Sequence, residues 1–368
     1  MSDVLPYARI SRMARLFPPP RYLTMPAVGV DISDYAIKFI KLERAHGGVR
    51  LVSHGKVDLP VDVINRGEIV DMATIVKLLT RIREEHGFSY AHLALPEEHA
   101  YLFQMELPVG SREELEQMVE FHLKENVPIG AAEAVFDYNV IATHQGKHTC
   151  NVSVYPAAIA SQYVNALHEA GYTPLSVEIE GLATARALVD EDVSSPTLVI
   201  DIGRNDASLS ISTSGTVTFT ASLETGGDDL TRAIARGLDI SFQEAEKLKR
   251  DHGFADTPES KHVYDAMQPV VAQIAEAIKK HLMYWQMHMS TGESGAGEVS
   301  RVILAGGNAN IVGMAEYLEA LLSVPVEVGN VWHNVFDFEQ YIPDIESAES
   351  LEYATSVGLA LRSLTRSM

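Results

Sequence analysis

Cysteine is nearly absent: Cys150 is the single one in 368 residues. No intrachain disulfide can form, and a reducing compartment fits. Long apolar runs are missing too. No stretch approaches the ~18 uninterrupted apolar residues of a membrane span, and no apolar signal-peptide core stands near the start. The chain therefore reads as soluble and cytoplasmic. Positive charge is scarce. Lysine and arginine total 29 against 50 aspartates and glutamates, for a net charge of −21. That balance argues against nucleic acid as the main partner. Charged residues make up only 21 % of the chain, which argues against wholesale disorder. No Ser/His/Asp or Cys/His catalytic set stands at a recognisable motif.

Apolar residues are 46 % of the chain, enough for real cores, and the length suggests two or more domains. Residues 1–26 differ from the rest. They carry Arg9, Arg12, Arg15 and Arg21 against Asp3 alone. Ile10, Met13, Leu16 and Phe17 can share a helical face before Pro18-Pro19-Pro20 stops the helix. This basic tail reads either as a weak anchor on an anionic membrane surface or as a segment that folds back on the protein or moves freely.

From residue 27 the pattern is β. "AVGVDISDYAIKFIKLER" gives a strand to Asp31, a polar turn over Asp31-Ile32-Ser33-Asp34 and a second strand over 35–43. Gly47-Gly48 turns the chain into a third strand. A helix with Ile69, Met72, Ile75, Val76 and Leu79 at helical spacing follows, then a strand over 91–95. The same meander recurs 170 residues later. "TLVIDIGRNDASLSISTSGTVTFTASLETGG" runs to Asp201, turns at Gly203-Arg204-Asn205 and continues as two more strands. A repeat of this length implies two related domains facing each other.

Between the copies lies an α+β insert over 97–172. It has a capping box at Ser111 and Glu114, a hairpin turning at Gln145-Gly146, a second helix over 157–170 and a closing strand. The last third is mostly helical; within it a buried strand, "RVILAG", meets Gly306-Gly307, and a helix over about 312–322 follows. His144, His148 and Cys150 straddle the hairpin tip without a fourth ligand, so they are not read as a metal site. His122 reads as a packed core histidine. Phe121 falls off the apolar stripe and faces either a groove or a satellite core contact.

Two Asp-ended turns across a cleft suit one chemistry. Their backbone N–H groups can wrap a phosphate chain from both sides. Their carboxylates can hold Mg²⁺ through water. The Gly-Gly turn lets backbone approach a nucleoside closely.

In this order, "VGVDISDYAIK", "LVIDIGRND" and "VILAGGNAN" resemble the two phosphate motifs and the adenosine motif of the actin-like ATPase superfamily. "IEGLATARAL" is similar to its connecting helix, with Glu180 in the acidic place. "TGGDDLTRAIA" and "EAEKLKRDHG" are similar to its helical subdomain. "LPEEHAYLFQMELP", "SREELEQMVEFHLKENVPI", "VFDYNVI" and "GMAEYLEALLSVPVEV" resemble the PilM family of type IV pilus assembly most closely. The resemblance runs over about residues 27–365.

It implies an α/β actin-like ATPase fold: two duplicated ribonuclease-H-like domains with an FtsA/PilM-type insert. The first domain would take 27–96, 173–195 and 351–368, the insert 97–172, the second domain 196–226 and 298–350, and a helical subdomain 227–297. It implies ATP or ADP with Mg²⁺ between the halves. Asp31, Ser33, Asp34, Lys38, Asp201, Gly203, Arg204, Asn205, Gly226, Gly227, Gly306, Gly307 and Asn308 would border the nucleotide. Glu246 and Lys249 would reach the ribose and adenine. Asp31 and Asp201 would hold Mg²⁺ through water, and Glu180 and Asp201 take the catalytic places. It also implies a PilN-like inner-membrane partner whose cytoplasmic N-terminal peptide docks in a groove beside the insert. The chain would then sit at the inner face of the cytoplasmic membrane, with homo-oligomers possible in principle. An FtsA-like filament and a small-molecule kinase are the alternatives.

Three departures from the family pattern stand out. Ser33 replaces a glycine, which removes easy positive φ. Asp34 adds negative charge near a phosphate. Asn308 replaces a third small residue. Weak nucleotide binding with slow or absent hydrolysis is the expectation.

Overall fold

The computed structural model describes residues 25–45, 48–255, 257–289, 297–339 and 341–365. The readings of the 1–24 tail and of most of the 291–298 linker lie outside the described residues. The first part runs β1 (Ala27–Ile32), β2 (Ala36–Ala45), β3 (Gly48–Asp58), the short pair β4 (Ile64–Asn65) and β5 (Glu68–Ile69), α1 (Met72–His86) and β6 (Tyr90–Leu95). Then come β7 (Tyr101–Pro108), α2 (Arg112–Asn126), β8 (Ala134–His144), β9 (Lys147–Pro156), α3 (Ala157–Glu169), β10 (Thr173–Ile179) and α4 (Glu180–Leu188). The remainder is β11 (Thr197–Ile202), β12 (Ala207–Thr213), β13 (Thr216–Leu223), α5 (Gly227–Leu238), α6 (Phe242–His252), α7 (Lys261–Met289), β14 (Arg301–Ala305), α8 (Met314–Leu322), β15 (Val326–Val328), α9 (Ser347–Ser350) and α10 (Ala354–Thr365).

Two five-stranded sheets carry the same plan. One is ordered β3-β2-β1-β6-β10, the other β13-β12-β11-β14-β15. In each, the central strand pairs antiparallel with its hairpin neighbour and parallel on the other side. β1 is buried at every position. A central strand covered on both faces reads as a continuous apolar run rather than an alternation. The duplication expected from the repeat is therefore present, and the fold is mixed α/β as expected.

α10 follows the second sheet in the chain but packs on the first. Val357, Ala360 and Leu361 are buried with Ile40 and Leu42 of β2, and Leu359 packs with Ala94 and Ala183. The insert has its own small core, in which Leu115, Val119 and Leu123 of α2 cover Cys150, Val152 and Val154 of β9. α3 was expected within the insert. Instead, Ile159, Tyr163 and Leu167 join the first-domain core, and the Tyr163 hydroxyl donates to Gly67 O at 2.9 Å. His122 is not a core residue. The buried stripe of α2 is Leu115, Val119 and Leu123, so His122 falls at its margin and lies 2.9 Å from Glu125. Among the described residues no helix is long and apolar enough to cross a membrane.

Candidate functional site

The first polar turn follows β1 and the second follows β11. Asp31 lies opposite Lys38 in the β1–β2 register, so the pleat puts both side chains on one face. Lys38 Nζ donates to Asp31 Oδ2 at 3.2 Å. Burial works against the lysine charge, but Asp31, Asp201 and Glu180 outweigh it and hold Lys38 above the ordinary lysine range. Glu180 opens α4 directly after β10. Burial, then the charges of Asp31 and Asp201, push its carboxyl well above the usual range. Asp201 is pushed up to about 7 by burial against the opposing charge of Lys38. Four expected residues, Asp31, Lys38, Glu180 and Asp201, thus converge from four elements, β1, β2, α4 and β11.

The Gly306 loop closes this end. Gly306 has φ +84°, and a Cβ there would strike Asp201 Oδ1 and lie 2.6 Å from Ile202 O. Both constraints demand glycine. Gly307 stands next to Glu352.

The first turn differs from expectation in its physical cause. Ser33 is not among the positive-φ residues, so the turn does not require glycine for its backbone. Ser33 N donates to Ala36 O at 3.0 Å, and its hydroxyl to the same oxygen at 3.2 Å. Asp34 has a structural use. Its carboxylate accepts from Arg66 N at 2.9 Å and Gly67 N at 3.0 Å, which pins the β4–β5 turn. Its charge still reaches Asp206 and Glu98.

The second turn is latched to α5. Gly227 N donates to Gly203 O at 3.0 Å and Asp228 N to Arg204 O at 2.7 Å. Gly226 has the backbone of Arg204, Asn205 and Asp206 where a Cβ would stand. Asn308 packs on Gly227 and donates to Gly203 O at 2.8 Å. Lys249 is 2 % exposed. Its ammonium meets Gly227 O at 3.1 Å, Asn308 Oδ1 at 3.0 Å and Glu246 at 2.9 Å. A lysine has three donors, so each has a partner inside the protein. Thr231 holds the same Glu246 oxygen at 2.6 Å. The sequence read Asn308 as a lost small residue. In the fold it ties the adenosine turn to the second phosphate turn and to Lys249.

Three acids were missed. Asp206 ends the second turn, and Glu97 and Glu98 follow Pro96. Glu97 is buried and accepts from Gly181 N at 2.9 Å. Burial pushes it up to about 7, against the pull of Thr220 and of the Gly181 amide. Asp206 is pushed up to about 7 by burial, then by the charges of Glu98 and Asp34. An acid whose pKa is raised by folding stabilises below its unfolded pKa and loses that contribution as pH climbs through the folded value. Asp206→Asn removes the charge. Its melting temperature is expected to exceed that of the unaltered chain by about 3 °C at pH 8, with a smaller gain at pH 5 that vanishes below the unfolded aspartate pKa of about 4. Scanning fluorimetry at both pH values checks this, and an equal shift at both would contradict it.

A divalent cation fits this chemistry. Carboxyls crowded until repulsion and burial favour protonation gain most from a nearby cation. Among the described residues no three acidic, histidine or cysteine side chains converge for direct ligation. Mg²⁺ would therefore be held through its own water shell.

Two sheets of one plan, a polar turn from each and a glycine-bound third turn define an actin-like protein. The family model for type IV pilus assembly protein PilM matches residues 29–364. The chain belongs to that family. The solved PilM-PilN type IV pilus biogenesis complex superposes with a TM-score of 0.76 at 22 % identity, covering 92 % of this chain and 98 % of that one. MreB5 of Spiroplasma citri bound to ADP superposes with a TM-score of 0.56 at 14 % identity, covering 91 % of this chain and 94 % of that one. Cell division protein FtsA of Staphylococcus epidermidis is 24 % identical over 202 residues, 51 % of this chain and 44 % of that protein. Ethanolamine utilization protein EutJ of Escherichia coli K12 is 34 % identical over 113 residues, 31 % of this chain and 39 % of that protein. The chain thus matches less than half the length of these curated relatives.

Proposed function

We propose that this protein is a nucleotide-binding scaffold of type IV pilus assembly. It takes ATP or ADP, with water-held Mg²⁺, between its two halves. It docks the cytoplasmic N-terminal peptide of a PilN-like inner-membrane partner beside the insert, and through that partner sits at the inner face of the membrane. The observation that carries the nucleotide reading is the convergence of Asp31, Lys38, Glu180 and Asp201 under the Gly306 turn. Membership of the PilM family supports the assembly role. The partner reading draws on the solved PilM-PilN complex. Phe121, 75 % exposed on α2, offers that peptide an apolar anchor.

Each side chain has a job in this reading. Asp31 and Asp201 orient the hydrated cation. Lys38, held by Asp31, offsets charge between the two turns. Glu246 faces the nucleoside hydroxyls, and Lys249 and Thr231 position it. Bound Mg²⁺ would supply charge neutralisation for the phosphates. Hydrolysis is slow, because Lys38 and Lys249 are held by protein partners and few preorganised donors remain for developing charge.

Calorimetric titration of the full chain with Mg-ATP and Mg-ADP tests the proposal. Saturable heat is expected, with Asp201→Ala weakening it at least about tenfold, roughly 1.4 kcal/mol. No heat at millimolar nucleotide would sink the reading.

A further inference from the structure

Tyr35 and Arg204 stand on opposite sides of the cleft mouth. Tyr35 follows the first polar turn, and Arg204 lies within the second. The guanidinium lies over the tyrosine ring, 4.5 Å from its centroid. Arg204 Nε is 3.4 Å from Asp228 Oδ1. Its side chain stays 56 % exposed, and its terminal nitrogens make no other hydrogen bond or ion pair among the described residues. A second pair crosses the same mouth, Arg66 to Glu224 at 3.4 Å, but both partners are at least three-quarters exposed. Such a pair contributes little.

The cleft needs a cation for a polyphosphate. Its wall holds Asp31, Glu180, Asp201 and Asp206, and the charges of the other three all bear on Glu180. Lys38 is held by Asp31. Lys249 has each ammonium donor placed on a protein oxygen. Arg204 keeps a planar fork with donors to spare. Guanidinium binds phosphate through two parallel hydrogen bonds. Its one ion pair is long and solvent-exposed, and easily exchanged for a phosphate.

We infer that Arg204 is the specificity-determining cation of the cleft. It is stacked on Tyr35 while waiting and passes from Asp228 to the outermost phosphate when a polyphosphate enters. This rests on the nucleotide reading above. Tyr35 is then a positioning residue: its ring keeps the guanidinium plane spanning the two turns. A triphosphate reaches further toward the mouth than a diphosphate, so it gains more from Arg204.

Fluorescent N-methylanthraniloyl ATP and ADP, with stopped-flow release from the full chain, test this. Arg204→Ala is expected to weaken Mg-ATP at least tenfold and Mg-ADP less than threefold, through faster release. Arg204→Lys keeps the charge without the fork and is expected to recover only part of the difference. Tyr35→Ala is expected to speed ATP release about fivefold, and Tyr35→Phe to keep the ring and behave as the unaltered chain. The unliganded melting temperature stays unchanged in the arginine variants, which separates recognition from folding. Arg204→Ala with unaltered affinities and release rates overturns this assignment alone. An unaltered chain that binds neither nucleotide overturns it together with the nucleotide reading.

Discussion

Gly358→Ala is expected to destabilise the protein by about 3 kcal/mol. At this position α10 crosses α4 backbone to backbone. A Cβ would overlap the carbonyl of Ala183 and approach its Cα at 3.0 Å. Backbone atoms cannot rotate away as a flexible side chain can. Helix propensity pulls the other way, since alanine is better than glycine inside a helix by about 1 kcal/mol. Overlap wins because the whole helix would have to move. Gly29 meets the same helix from the sheet, where a Cβ would run into Ser356 O and stand 2.8 Å from Ala360 N. Lifting α10 would therefore also loosen its seat on β1. Urea unfolding at pH 7 measures the effect as a fall in midpoint. A gain near the propensity value would show that the two helices have slack.

Glu178→Ala is expected to cost about 3 kcal/mol, near the low end for breaking a buried ion pair because the arginines keep some solvent. Glu178 is 8 % exposed. Arg186 holds it with two nitrogens at 2.6 Å and 2.8 Å, and Arg362 with one at 2.5 Å. One carboxylate thus ties β10, α4 and α10. Alanine would leave two guanidinium groups without that partner. Burial pushes Glu178 up, but the hydrogen bonds and charges of Arg186 and Arg362 outweigh it and hold the carboxyl below its usual range. A lowered acid contributes its stability above the unfolded pKa and loses it as pH falls through the folded one. The difference between Glu178→Ala and the unaltered chain should therefore be full at pH 7 and shrink below about pH 4. A difference that does not depend on pH would mean that packing, not the ion pair, explains the cost.

Much of the fold lay in local pattern. The capping box was legible because it is written within four residues: Ser111 N donates to Glu114 at 2.7 Å, and Glu114 N to the Ser111 hydroxyl at 3.3 Å. The hairpin tip was legible because Gln145 and Gly146 both take positive φ, 47° and 80°, which suits a tight turn. The two Asp-ended turns were legible because the same spacing occurs twice.

What stayed hidden depends on groups distant in the chain. Asp34 reads as a repulsive charge until Arg66 and Gly67 arrive with their amides. The partners of Lys249 were equally hidden: only the fold brings Gly227 O and Asn308 Oδ1 to accept hydrogen bonds from its ammonium. Asp206 and Glu97 look like ordinary surface acids, and only the meeting of the two halves buries them. α3 looked like part of the insert because it follows β9 directly. Its partners, α1 and β10, lie on either side of the insert in sequence.

The seating of α10 on β1 also bears on how the chain is made. Ser363 accepts from Ala27 N at 3.3 Å and donates to Ala27 O at 3.2 Å, so the first strand and the last helix meet. A ribosome delivers β1 and β2 some three hundred residues before their cover. Until residues 354–365 leave the exit tunnel, the nascent first half holds Ile40 and Leu42 without the helix that shields them. The second half can complete its own sheet earlier, since β11 to β15 are all synthesised before α10. A chain whose synthesis stops before residue 354 thus has a second sheet that is complete while its first half still shows an open apolar face to the cell's chaperones.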